Sequence, residues 1–371
     1  METTMKLTVK ERLSSLDTLR GFDMLWIIGG GELLRALSKS TGWDWVTALA
    51  NQTHHVQWEG FHFEDLIFPL FMFISGAAIP FALTSKLEKG TQKKELYKKV
   101  FQRMILLVVF GMVYNGALEK GFSNMRYLSV LSQIGIGYFF ASLIVINTNT
   151  LRARIFWLTG ILAGIAILQN LVPVPGFGAG VFTPEGSINA WLDQHLLPGR
   201  LIDKFFDPEG VLCIVSAISV TLMGAIAGSV LRNGSLTSLR KTAILLISGV
   251  SLVVIALLLS PFYPIIKRLW TVPFDLLTAG VSFLLLAIFY FIIDVKLWNK
   301  WIFFFRVIGL NSITIYLGGQ LIDFELPSKF LLGWIAIPSG NFGEVIIVTG
   351  MIAAEWLFLY YLYKNKIFLR V

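Results

Sequence analysis

The sequence predicts an all-α membrane protein, a polytopic bundle of about ten transmembrane helices with both termini in the cytoplasm. Three observations carry that prediction. The 371 residues are 55% hydrophobic and only 15% charged, whereas a soluble domain spends about a quarter of its residues on charge. The apolar residues fall in long runs throughout the chain, as at 104–113, 243–259 and 283–293, and the mean hydropathy is +0.71. Lysine and arginine, finally, are unevenly divided between alternate loops. Ten helices of about 20 residues use roughly 200 residues, which the length accommodates. No polar block is long enough to fold alone, so residues 1–371 read as a single domain. Cys213 is the only cysteine, which excludes a disulfide scaffold and a cysteine-based zinc site.

The first apolar stretch, 17–37, is interrupted by Gly29-Gly30-Gly31-Glu32, and no small-residue cleavage site follows. It reads as a retained first helix, not a signal peptide. The following stretches lie at 63–84, 100–118, 127–147, 155–172, 209–231, 242–260, 273–294, 302–320 and 344–363. The sixth opens on Phe206-Asp207-Pro208-Glu209-Gly210, where acids favour the helix dipole and proline suits a first turn. With the N-terminus inside, cytoplasmic segments hold 20 of the 31 lysines and arginines, outer loops hold 8, and Arg35, Arg103 and Arg306 sit within or at the ends of helices. That bias orients the bundle, so the net charge of +8 is a topology signal and no nucleic-acid partner is expected. Two outer segments, 38–62 and 173–208, are longer than simple turns and carry Trp43, Trp45, Trp58 and Trp191. Such loops are usually functional or disordered, and their aromatics favour function or interfacial anchoring.

Ionisable groups inside apolar helices are costly and therefore informative. The densest cluster runs His54-His55-Val56-Gln57-Trp58-Glu59-Gly60-Phe61-His62-Phe63-Glu64-Asp65. A helix beginning near His62 would set His62 and Asp65 on one face, and a carboxylate beside an imidazole fixes the tautomer that a general base needs. Zinc is the other chemistry open to such groups, but there is no H-E-x-x-H, and the only histidine outside the cluster is His195. No metal is expected. At the inner side Arg12, Arg20, Arg103 and Arg306 are ordinary positive-inside residues that also suit a phosphate or diphosphate.

The run Arg12-Leu13-Ser14-Ser15-Leu16-Asp17-Thr18-Leu19-Arg20-Gly21, then His55-Val56-Gln57-Trp58-Glu59-Gly60, then Asp65-Leu66-Ile67-Phe68-Pro69-Leu70-Phe71 resembles the catalytic region of heparan-α-glucosaminide N-acetyltransferase and its bacterial relatives. These belong to a wider group of transmembrane acyltransferases. The resemblance continues through Arg103, Gly111 and Asn115, Asp207-Pro208-Glu209-Gly210, Leu269-Trp270-Thr271 and Gly309-Leu310-Asn311-Ser312-Ile313, and so covers nearly the whole chain in order. It implies transfer of an acetyl or acyl group from cytoplasmic acetyl-CoA (acyl-CoA) to an amino sugar or other carbohydrate on the far side of the membrane. The family's catalytic histidine falls on His55, with Asp65 or Glu59 orienting it. Arg12, Arg20 and Arg103 are the candidates for the CoA phosphates, and Asn311 and Ser312 line the cofactor path by resemblance. Trp58, Asp207 and Glu209 are the candidates for sugar contact.

The chain departs from the family where the animal enzymes carry asparagine near Gly29–Gly31 and Glu32, where arginine is common at Gln133, and where a histidine stands at Gly319-Gln320. The first and third departures bear on the acceptor. The thin pantetheine arm would thread the bundle past Gly29, Gly30, Gly31, Gly76 and Ala77, unless these small residues serve helix packing. Expected partners are the carbohydrate acceptor, acyl-CoA, membrane lipid and, for a homodimer, a second copy; the expected location is the bacterial inner membrane. The rival readings are a sugar transporter, favoured by the glycine-rich break, and a membrane zinc hydrolase.

Overall fold

A computed structural model describes residues 13–117 and 125–369. Arg12, one of the expected phosphate ligands, lies outside the described residues. Every one of the ten predicted stretches is helical, but they do not all make continuous spans. The first divides into α1 (Ser14–Leu25) and α2 (Gly31–Thr41), separated by a π turn in which Gly29 has φ 135°. Only glycine adopts that conformation readily, and a Cβ there would also press on Ile352 and Met351. After α3 (Asp44–Asn51) comes α4 (Phe63–Ile79), prolonged to Glu88 by a π turn at Pro80–Thr84. Then follow α5 (Lys93–Tyr114), α6 (Val130–Asn147), α7 (Leu151–Leu171), α8 (Ile188–Leu196), α9 (Val211–Arg232) and α10 (Ser238–Leu259). The chain ends with α11 (Val272–Tyr290), α12 (Ile302–Leu310), α13 (Ser312–Leu321), α14 (Glu325–Ala336) and α15 (Gly343–Lys364).

Seven of these helices are long and apolar enough to cross a membrane, or eight if α12 and α13, bent by 70°, form one broken span. By length and composition, the described residues therefore offer seven or eight continuous spans beside the expected ten or so. The first stretch is cut at Gly29, and the first half of α5 carries Lys93, Lys94, Glu95, Lys98, Lys99 and Arg103, which leaves only residues 104–114 as an apolar run. Segments 38–62 and 173–208, expected as long outer loops, contain the helices α3 and α8.

Burial divides the bundle into an inner and an outer set. The apolar windows of α4 and α9 are each 78% buried, against 11% for α7 and 22% for α10. The peripheral helices point Phe156, Trp157, Ile247 and Leu258 outward, which is tolerable only against lipid. Lipid tails are as apolar as leucine, so close packing must hold the centre together. A Cβ at Gly76 would lie 1.9 Å from the Thr221 carbonyl oxygen, and one at Gly224 2.0 Å from that of Phe73. Gly76 is therefore occupied by backbone contact between α4 and α9, and the expectation that it leaves room for a ligand is corrected. Gly21 does the same for α1 against Phe305 of α12.

Candidate functional site

Asp65 sits in the first turn of α4, and both of its oxygens are used. Oδ2 accepts from the His62 backbone N–H at 3.0 Å and from Val56 N–H at 3.4 Å, closing the helix start onto the histidine loop. Oδ1 lies 2.9 Å from His55 Nδ1. A carboxylate can only accept, so in the contact with Asp65 the donor is Nδ1–H and Nε2 keeps its lone pair. The Lys267 ammonium, 3.0 Å from Nδ1, then donates to Asp65 and not to the ring. The pairing drawn from helical spacing, His62 with Asp65, is therefore not the one made: the imidazole beside Asp65 is that of His55, as the motif resemblance implies, while the His62 ring bonds the His54 carbonyl at 2.9 Å. Of the two acids expected to orient His55, Asp65 makes the contact. Glu59 is exposed, and its backbone bridges to Ile266.

That bridge brings in a residue the sequence reading missed. Glu59 pairs with Ile266 and Gly60 N–H donates to the Ile265 carbonyl, which sets Lys267 beside the histidine. The corner is fixed by Thr271, whose hydroxyl accepts from Ile266 N–H at 3.1 Å and donates to Pro264 O at 2.8 Å. Next to it Trp270, 1% exposed, is held at φ 47°, a backbone region that bulky residues rarely occupy. Lys267 Nζ ends 3.2 Å from Asp65 Oδ1 and 3.0 Å from His55 Nδ1. Burial pushes the Lys267 pKa below the ordinary lysine value, and the Asp65 carboxylate pulls in the opposite direction. In sequence this lysine is one outer-loop cation among several; only its 212-residue separation from His55, closed by the fold, reveals it.

His55, Glu64, Lys267 and Trp270 face a cavity of about 400 Å³ whose wall continues along Met24, Ile67, Phe68, Phe71, Ser312, Ile313 and Tyr316. A second cavity, about 480 Å³, is lined by Asp17, Arg20, Phe71, Ser75, Phe81, Arg103, Gly309, Ser312 and Ile313. Phe71, Ser312 and Ile313 belong to both. The order along three helices agrees: on α1 Arg20 precedes Met24, on α13 Ser312 precedes Tyr316, and on α4 Glu64 precedes Ala82 in the reverse sense. The two cavities are therefore stacked end to end. From Glu64 to Ala82 a helix rises about 27 Å, close to the roughly 30 Å of a hydrocarbon core.

At the arginine end, Arg20 pairs with Asp17 at 3.4 Å. The Arg103 guanidinium lies 4.0 Å from the Tyr138 ring centroid, and its buried Nε has no hydrogen-bond partner. Ser312 lines both cavities, whereas Asn311 lines neither: its Nδ2 donates to the Ile367 carbonyl at 3.2 Å. Gln133 donates to the Cys213 carbonyl at 2.8 Å.

The residues expected to touch sugar are mostly engaged in holding segments 38–62 and 173–208 in place. Trp58 donates its indole N–H to the Phe182 carbonyl at 2.9 Å and packs edge-on against Phe206. Asp207, 1% exposed, is paired with Arg126, which also holds Glu209. Of the three, Glu209 alone lines the His55 cavity. The cap of α9 comes from Asp193, not from the acids of the predicted motif: its oxygens accept from Asp207 N–H at 3.0 Å and Val211 N–H at 2.9 Å. Burial pushes the Asp193 pKa up to about 6 against those two hydrogen bonds. Among the described residues no group of three His, Cys, Asp or Glu side chains is placed to hold a metal ion.

Comparison with known proteins agrees with the resemblance read from the motifs. A family model described as a domain of unknown function, DUF5009, matches residues 12–170. The chain is 27% identical to mouse (Mus musculus) heparan-alpha-glucosaminide N-acetyltransferase over 97% of its own length. It is 26% identical to the human (Homo sapiens) protein of the same name over the same share. The chain is thus similar to these two acetyltransferases along nearly its whole length. The chain spans 60% of the length of the curated relatives it matches.

Proposed function

We propose that this chain is a membrane acyltransferase that accepts an acetyl group from acetyl-CoA at the arginine end of the bundle and delivers it at His55 to an amino sugar or other carbohydrate arriving from the opposite face. The observation that carries the reading is the pair of stacked cavities, with Arg20 and Arg103 on one and His55, Asp65 and Lys267 around the other. Two guanidinium groups in one cavity suit the CoA diphosphate. The pantetheine arm would pass Phe71, Ser312 and Ile313, the residues common to both walls. The charge bias of the loops supports an orientation with both termini and the arginine end in the cytoplasm, where acyl-CoA is found.

His55 takes the proton of the acceptor amine or hydroxyl on Nε2 as the acceptor attacks the thioester carbonyl. The tetrahedral intermediate then expels the CoA thiolate, which takes that proton from Nε2, and the histidine returns to its starting state. Asp65 holds the ring and balances its transient charge. Lys267 holds Asp65. An acetyl-imidazole intermediate uses the same residues in two steps, and rapid-quench trapping of labelled acetyl on the protein separates the routes. The test of the reading is acetyl transfer by the purified protein from acetyl-CoA to a panel of amino sugars and sialic acids. Transfer that vanishes in His55→Ala, with acetyl-CoA binding retained, supports it; CoA release unaffected by that substitution overturns it.

Sugar transport is favoured by one observation, the helix breaks at Gly29 and Asn311, which transporters use at substrate sites. A transporter needs no acyl-CoA and would keep sugar uptake in His55→Ala.

A further inference from the structure

Beside the His55 cavity lies a larger one of about 990 Å³ that shares none of its lining residues. It is walled by α2, α15 and the segment between α13 and α14. Five carboxylates face it, those of Glu32, Asp323, Glu325, Glu344 and Glu355, against two permanent cations, Arg35 and Lys39. Both cations are engaged. Lys39 pairs with Glu344 at 3.0 Å, and Arg35 donates to the carbonyl and hydroxyl of Thr53 at 2.9 and 3.2 Å. Glu325 is paired with Lys329 at 2.8 Å, and Asp323 accepts from the backbone N–H groups of Glu325 and Leu326. Glu32 and Glu355 remain.

Glu355 is the informative one. It is only 5% exposed, its Oε2 has no hydrogen-bond partner, and it lines the cavity together with Glu32. A buried carboxylate beside a like charge is costly unless a cation joins the pair. Helices α2 and α15 pack together, so the two acids belong to one rigid wall. His54 lines this vestibule and His55 the smaller cavity, so consecutive residues straddle the partition between them.

We infer that the vestibule binds the ammonium groups of an acceptor that carries more than one free amine, with one ammonium lodged between Glu355 and Glu32 while another part of the same molecule reaches His55. The word acceptor rests on the acyltransferase reading; the cation site does not. The vestibule has five acids and two bases, a formal charge of −3, and it repels a sulfated or carboxylated chain.

The probes are the linear glucosamine tetramer, its fully N-acetylated counterpart and a heparin-derived tetrasaccharide. Each is titrated calorimetrically into the full-length protein in neutral detergent without acetyl-CoA, at low and high salt. The glucosamine tetramer should bind and weaken as salt rises, and the other two should not bind. Glu355→Gln and Glu32→Gln should each weaken it about tenfold, the loss of one charged hydrogen bond. Glu32 is exposed, so its substitution spares the fold, and a melting curve on the same samples checks Glu355→Gln. Equal binding of all three probes, or wild-type affinity in both variants, overturns the inference. Binding as expected with no acetyl transfer from acetyl-CoA would sink the acyltransferase reading and leave the cation site standing. Transfer with unchanged acceptor KM in both variants would do the opposite.

Discussion

Asp65→Asn is the substitution that separates the proposed site from a merely polar loop. The wild-type side chain serves four donors: His55 Nδ1 at 2.9 Å, Lys267 Nζ at 3.2 Å, and the backbone N–H groups of His62 at 3.0 Å and Val56 at 3.4 Å. An amide keeps one acceptor oxygen and turns an NH₂ toward the other pair of donors. If the oxygen stays on the backbone pair, His55 loses its orienting partner and flips or changes tautomer; a general-base contribution of about 10²–10⁴ in rate is then at stake. If the oxygen turns to His55, the start of α4 loses its cap, typically about 1 kcal/mol. Either way Lys267 loses the carboxylate that opposes burial, and breaking a buried ion pair costs about 3 kcal/mol or more. The expected result is a kcat lower by about 10²-fold or more, with the KM for acetyl-CoA little changed, because Arg20 and Arg103 lie on the other cavity. The stability loss also has a pH signature. Lys267 already titrates below the ordinary lysine value of 10.5; without Asp65 it should fall further. The unfolded chain then binds more protons over the window below 10.5, so the melting temperature of the variant should rise with pH there more steeply than that of the wild type. Steady-state kinetics and melting curves between pH 7 and about 10 measure both. A variant with kcat within about fivefold of wild type and a parallel stability profile would refute the Asp65–His55–Lys267 arrangement.

His55→Ala should cost about 10²–10⁴ in transfer rate while His54→Ala, which removes a side chain facing the other cavity, should be mild; equal and modest losses from both would reduce the pair to a wet loop. Arg20→Ala and Arg103→Ala should each raise the KM for acetyl-CoA about tenfold, as loss of a charge-assisted phosphate contact does, and make it more salt-sensitive, with the acceptor KM steady. Wild-type acetyl-CoA kinetics in both would remove the phosphate role. For orientation, Trp43→Cys in a Cys213→Ser background should be labelled by an impermeant thiol reagent from outside only, since Trp43 is exposed and the native thiol is buried; labelling from inside alone would invert the topology.

Helix positions were legible because burial in a bilayer imposes a pattern on composition alone: every predicted stretch is helical within a few residues. Continuity was not, because it depends on single backbone conformations such as Gly29 at φ 135° and the 70° bend at Asn311. His55 and Asp65 could be picked from their motifs. Their mutual contact could not be derived from helical spacing, which pointed to His62, since the bond crosses from a loop to a helix start. Trp58 and Asp207 have the residue types that sugar sites use, yet one supplies its indole N–H to a carbonyl and the other is bound to Arg126.

Lys267 marks the general limit of such reading. In a bundle whose helices gain little from apolar burial against one another, specificity comes from glycine contacts and from charges that find a partner across long stretches of chain. The first leave a trace in the sequence only as small residues, which suit packing and ligand passage equally well; Gly76 proved to be the former. The second leave no local trace. The lysine counted as a topology signal has its ammonium on the carboxylate that orients the histidine, so the residue that read as least specific is the one whose position ties the Thr271 corner, the histidine loop and the start of α4 into one site.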